Sequence, residues 1–209
     1  MKTSKTITRK AFTTLELVFV IMILGILSYF VSSSFQRNTI IEAADQIVSH
    51  IRYTQHLAMM DNVFDPTDAT YYRERWHIHF NTDSSNNGNR VYWIISDKNH
   101  NMLLSDVAEY AKDPLNPNVV LSGDSSLGNN RNQNLDLTKK YGITGITNNC
   151  SAAGRIFFDD IGRPYGDATF PATAPHQNLI TAICTIVITD GTQNRTIELS
   201  PETGYVRHF

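Results

Sequence analysis

Apolar residues fall along this chain in three regimes. From Phe12 to Val31 the only positions that are not apolar are Thr13, Thr14, Glu16, Gly25 and Ser28. A run of about 20 residues is about 30 Å long as a helix, the thickness of a bilayer's hydrocarbon core. Next, Ile40, Ile41, Ala44, Ile47, Val48, Ile51, Leu57 and Ala58 recur mostly three or four positions apart. Glu42, Asp45, Gln46, His50, Arg52 and Gln55 fall mainly between them. That period predicts an amphipathic helix with a single stripe for a core. Neither Gly nor Pro stands between Gly25 and Pro66. The pattern therefore predicts one continuous helix from Phe12 to about Asn62, roughly 75 Å long.

From Pro66 onward the pattern is one of strands and turns. Trp76 to Phe80 alternates and Val91 to Ile95 is rich in β-formers, with shorter candidates at Val119 to Leu121 and Ile156 to Phe158. Ile183 to Thr189 and Arg195 to Leu199 flank Asp190-Gly191, a hairpin signal, and a last strand is predicted over Tyr205 to Phe209. Asn81 to Asn89 and Ser122 to Asn134 are polar enough to predict surface loops. The fold class expected is α+β: a long N-terminal helix, transmembrane and then amphipathic, packed on an antiparallel β-sheet head.

Charge sharpens the picture at one end only. The formal net charge of −2 gives no global sign of a nucleic-acid binder. The first eleven residues, however, carry Lys2, Lys5, Arg9 and Lys10 and no acid. Without these four, fourteen basic residues face twenty acidic ones, a formal charge of −6. A basic start before an apolar run fits a secretory signal peptide cut near Ser32, Ser33 and Ser34, or an uncleaved anchor with its basic end inside. Neither accounts for Glu16. A carboxylate costs about 2.5–3.5 kcal/mol near the centre of a spanning helix and less near its end, so it needs a partner or a place in the first turn, beside the helix dipole.

Arg9-Lys10-Ala11-Phe12-Thr13-Thr14-Leu15-Glu16-Leu17 resembles the type IV prepilin signature. The resemblance implies a leader over residues 1–11, and a cut by the prepilin peptidase/methyltransferase between Ala11 and Phe12. It further implies N-methylation of Phe12 and a Glu16 carboxylate that pairs with the newly exposed amine during assembly. The family usually has Gly before the cut; Ala11, also small, stands here. The domains expected are then the leader 1–11, a transmembrane and filament-core helix 12–35, its amphipathic continuation 36–64, and a periplasmic head 65–209. The partners implied are inner-membrane lipid, the processing enzyme and other pilin or pseudopilin subunits. The location implied is a single-pass inner-membrane precursor, cytoplasmic at its N-terminus and periplasmic at its head, that later enters a filament.

Phe158-Asp159-Asp160-Ile161-Gly162-Arg163-Pro164 and Thr203-Gly204-Tyr205-Val206 resemble the head of H-type minor pseudopilins. That implies a low-copy structural subunit of a type II secretion pseudopilus or a type IV pilus. A related class of minor pilins captures DNA through a basic C-terminal tail. Arg195, Arg207 and His208 are few for that purpose, one arginine of the tail pattern is missing, and nucleic acid is not an expected partner. A pilus-tip adhesin is the other alternative. Cys150 and Cys184 fit no CxxC site; if the head is exported they are expected to form one disulfide, worth about 3–4 kcal/mol by loop-closure entropy. His77 and His79 share a strand face without an evident third ligand, and Asp159, Asp160 and Asp167 lack EF-hand spacing. No phosphate loop, nucleophile elbow or H-E-x-x-H motif occurs. Neither enzymatic activity, a cofactor nor a metal is expected from the sequence.

Overall fold

The computed structural model describes residues 13–34, 38–101, 106–166 and 174–209, with the side chains of 30–34 outside the description. The chain divides into two units, Met1–Asn38 and Thr39–Phe209.

In the first unit, helix α1 spans Thr14–Ser34. Thr13 stands before it, and the amide of Glu16 donates to the Thr13 hydroxyl at 3.3 Å. A hydroxyl residue three positions ahead of an acid is the spacing of a capping box, which satisfies one of the otherwise orphaned amides of a first turn. Every described side chain of α1, from Thr14 to Tyr29, is exposed, among them Leu15 at 78% and Ile21 at 60%. Among the described residues no helix is long and apolar enough to cross a membrane. Thr14 to Tyr29 gives about 24 Å of helix against a core of about 30 Å. Phe12, Phe30 and Val31, which complete the apolar run of the sequence, have no described side chains.

The second unit begins with helix α2, Thr39–Met60. Asn38 lies outside helical conformation, and residues 35–37, on which the expected unbroken rod depends, lie outside the described residues. Asparagine is a poor interior helix residue and a favoured one just ahead of a helix start. Of the stretch 36–64, Thr39–Met60 is α2, within the second unit. Its buried face is Ile40, Ala43, Ala44, Ile47, Val48, Ile51, Thr54 and Ala58. Ala43 and Thr54 replace the expected Ile41 and Leu57 on it. Thr54 reaches the core by giving its hydroxyl proton to the His50 carbonyl at 2.7 Å.

Eight strands form two antiparallel sheets, where one was expected. The first, ordered β2-β1-β4-β5, comprises β1 His77–Asp83, β2 Asn89–Ile95, β4 Arg155–Phe158 and β5 Pro164–Gly166. The second, ordered β3-β6-β7-β8, comprises β3 Gly145–Asn148, β6 Cys184–Thr189, β7 Asn194–Leu199 and β8 Val206–His208. Helix α2 packs against strands of both, so one core is shared between them. Strand β6 alternates strictly, burying Cys184, Ile186 and Ile188. Strand β2 is buried on both faces: Tyr92 and Ile94 look toward α2, while Val91, Trp93 and Ile95 form a second cluster with Tyr110 and Val120. The segment expected as a surface loop over 122–134 starts at a single bridge from Ser122 to Trp93 and has no buried residue from 124 to 134; Asp136, just beyond it, bridges Val91. The chain then enters the short helix α3, Leu137–Tyr141, capped by Asp136. Val119 to Leu121 makes isolated bridges instead of the expected strand. Asn81 to Asp83, expected in a loop, remain paired in β1 and shorten the hairpin turn.

Candidate functional site

Glu16 is the only charged residue of α1 and sits in its first turn, exposed among exposed apolar side chains. The first-turn amides favour a carboxylate there by about 0.3–1 kcal/mol. Lys2, Lys5, Arg9, Lys10, Ala11 and Phe12 lie outside the described residues.

In the head unit, the segments 158–164 and 203–206 converge. Gln55 on α2 donates through Nε2 to the Gly162 carbonyl at 2.8 Å and to the Thr203 carbonyl at 2.9 Å. Gly162 and Gly204 have φ of +84° and +64°, in the left-handed region. A Cβ on Gly204 would lie 2.6 Å from the Gly162 carbonyl oxygen, so glycine is required by space as well as by backbone. Beside this clasp, Arg52 donates to the Val206 carbonyl at 2.9 Å and His208 Nε2 lies 2.8 Å from Asp45 Oδ1. Asp159 organises the turn from within. Its Oδ1 accepts the Arg163 amide at 2.8 Å, and its Oδ2 accepts Arg163 Nε at 2.8 Å and the Tyr165 hydroxyl at 3.0 Å. Only 2% of Asp159 is exposed, Asp160 is exposed, and Asp167 lies outside the described residues. Asp159 therefore serves the chain reversal, and Gly-Arg-Pro completes it into β5.

Cys150 and Cys184 are joined as a disulfide with Cα atoms 4.9 Å apart, tying the connection after β3 to the start of β6. Arg195 and Arg207 are not brought together. Arg207 pairs across the ladder with Glu198, its Nη2 3.0 Å from Oε2, and lies over the Phe209 ring. Arg195 shares the other face of β7 with Ile197 and Leu199, since side chains alternate along a strand.

His77 and His79 do share a face, but as packing residues. His77 lies 4.2 Å from the Phe157 ring and His79 lies 4.7 Å, edge on, from Trp93. Burial pushes His77 down to about 3 and His79 to about 2, so both are neutral at any physiological pH. A third imidazole, the partly buried His50, is pushed down to about 4 by loss of solvent, against the pull of Asp113. It belongs to a relay that sequence reasoning missed. Tyr141 donates its hydroxyl to Gln46 Oε1 at 2.6 Å, and Gln46 Nε2 donates to the Tyr92 hydroxyl at 2.7 Å. Tyr92 is then the donor to His50 Nδ1 at 2.7 Å, which leaves the ring hydrogen on Nε2.

Also missed was the one group of three ligand-type side chains found among the described residues: Asp68, Glu74 and His100. They come from different turns, and no spacing in the sequence joins them. No protein-family profile matches this chain, and neither does any curated protein or solved structure.

Proposed function

We propose that this chain is the precursor of a type IV pilin-like structural subunit, of the H-type minor pseudopilin kind. It is anchored in the inner membrane by α1 and built into a type II secretion pseudopilus or type IV pilus after its leader is removed. The observation that carries this reading is the contrast between the two units. Thr39–Phe209 has a core of its own, whereas α1 exposes apolar side chains all round with a single carboxylate in its first turn. A helix apolar on every side is stable only in lipid or among other helices, and both are supplied in turn if the subunit leaves the membrane for a filament. Cleavage before Phe12 removes four cations and creates an ammonium four residues from Glu16. Opposite charges attract far more strongly in a poorly hydrated setting than in water, so the pair gives each arriving subunit a register.

Two measurements test this. N-terminal sequencing of the mature protein is expected to read methyl-Phe12; a start near Ser34 would mean an ordinary signal peptide, and a start at Met1 a plain anchor. Glu16→Ala is expected to insert and be cleaved normally but to drop out of filaments. Normal incorporation of that variant would remove the charge pair from the mechanism.

A further inference from the structure

Arg75 stands just before β1, and only 8% of it is exposed. A buried cation is costly unless an opposite charge or a full set of acceptors replaces its water. Arg75 has neither among the described residues. Its Nη1 donates to the Pro175 carbonyl at 2.6 Å, and its guanidinium carbon stands 4.5 Å from the centroid of the Tyr165 ring. A guanidinium has five N–H donors, so most of this one is uncommitted. Arg163, just before β5, is in a similar condition. Asp159 holds its Nε at 2.8 Å, which leaves both Nη groups without an acceptor among the described residues. The Tyr165 hydroxyl donates to the same Asp159, so one buried carboxylate sets the posture of both arginines. The two guanidiniums line a single cavity of about 140 Å³, and the exposed His176 lines it beside them.

Charge and size select what the cavity can hold. The fork of a guanidinium matches the paired oxygens of a carboxylate or a phosphate. The exposed Asp160 also lines the cavity, and its charge repels a dianion more than a monoanion. That favours a carboxylate over a phosphate. A cavity of about 150 Å³ holds a body the size of benzene. The volume here therefore suits a carboxylate on a short stem and is too small for a sugar or a nucleotide. Phe64 and Tyr71, edge to face with centroids 5.1 Å apart, give the stem an apolar wall.

We propose that Arg75 and Arg163 bind one carboxylate on a short apolar stem, with its oxygens on the two guanidiniums and its stem against Phe64 and Tyr71. The site does not depend on the pilin reading. A free short-chain acid and a glutamate side chain of another protein offer the same chemistry. The test uses the full chain in detergent at constant ionic strength, titrated with propionate and with glutamate blocked at both backbone ends. The arginine Nε–H resonances report binding. One equivalent is expected to bind saturably, and propionamide, the neutral isostere, is not. Tighter binding of propionate would mean a free acid, and of blocked glutamate a protein partner. Arg75→Gln is expected to weaken binding about thirtyfold or more. Asp160→Asn, at an exposed position, is expected to tighten it about two- to fivefold. Arg207→Gln, which removes a cation outside the cavity, is expected to leave it unchanged. Melting curves show whether each variant folds; if Arg75→Gln does not, Asp160→Asn decides, and an unchanged constant there overturns the proposal. It is also overturned by an absence of saturable binding, by equal binding of propionamide, by tighter binding of inorganic phosphate, or by binding that survives Arg75→Gln. Binding confined to Asp160→Asn would overturn it too, since Asp160 would then be the carboxylate that fills the cavity.

Discussion

Two buried imidazoles and a partly buried one, all held neutral, make the head sensitive to acid, and the size of the effect can be worked out. His50, His77 and His79 start from 6.5 and are pushed down to about 4, 3 and 2, in each case chiefly by burial. Arg155 pushes His77 and His79 the same way, while Asp113 beside His50 and the Arg75 carbonyl on His77 oppose it. The unfolded chain therefore binds more protons than the folded one below about pH 6.5, and stability rises with pH in that window. Their contribution is complete above the unfolded value and drains away as pH falls toward the folded ones. Going from about pH 7.5 to about pH 5.5 costs roughly 1.3 kcal/mol for each imidazole, and about 4 kcal/mol for the three. Urea-unfolding midpoints at the two pH values, followed by tryptophan fluorescence, measure the total. Other groups titrate in the same range, so the decisive quantity is a difference. His77→Phe keeps a ring against Phe157 and is expected to shrink the acid loss by about 1.3 kcal/mol, whatever it does to stability at neutral pH. A variant whose loss matches that of the parent protein would refute the assignment of His77 as a neutral core residue.

Other outcomes follow from the clasp on Gln55 and from the disulfide. Gly204→Ala forces a Cβ to 2.6 Å from the Gly162 carbonyl oxygen at a positive φ, and is expected to destabilise the head by about 1–3 kcal/mol in chemical denaturation. An unchanged midpoint would mean the two turns are not in contact. Reduction of Cys150–Cys184, 34 positions apart, is expected to lower stability by about 3–4 kcal/mol by the loop-closure argument, read as a midpoint shift with and without reductant.

The elements that were legible in the sequence are those whose local pattern and tertiary environment agree. The stripe on α2 and the alternation of β6 each face a single core, so periodicity points to the buried side. The hairpin at Asp190-Gly191 falls where its turn residues place it, with Gly191 at φ of +94°. Reading failed where burial is not periodic. β2 is buried on both faces, so alternation cannot tell which of its residues face α2, and its outer cover comes from Tyr110, Val120 and Leu127, which share no period. The pattern from Arg9 to Leu17 is contiguous, so a resemblance carried by it can be read in one dimension. The trio of Asp68, Glu74 and His100 cannot, because only folding brings the turns together.

The roof over β2 has a consequence for how another molecule can touch this head. Its outer margin is taken up by bridges to Tyr110, Ser122 and Asp136, so a strand offered by another molecule finds no free row of amides and carbonyls there. Association by a shared hydrogen-bond ladder is closed at that rim. Neighbours meeting this side of the head must recognise one another through side chains, a contact that evolution can retune one residue at a time.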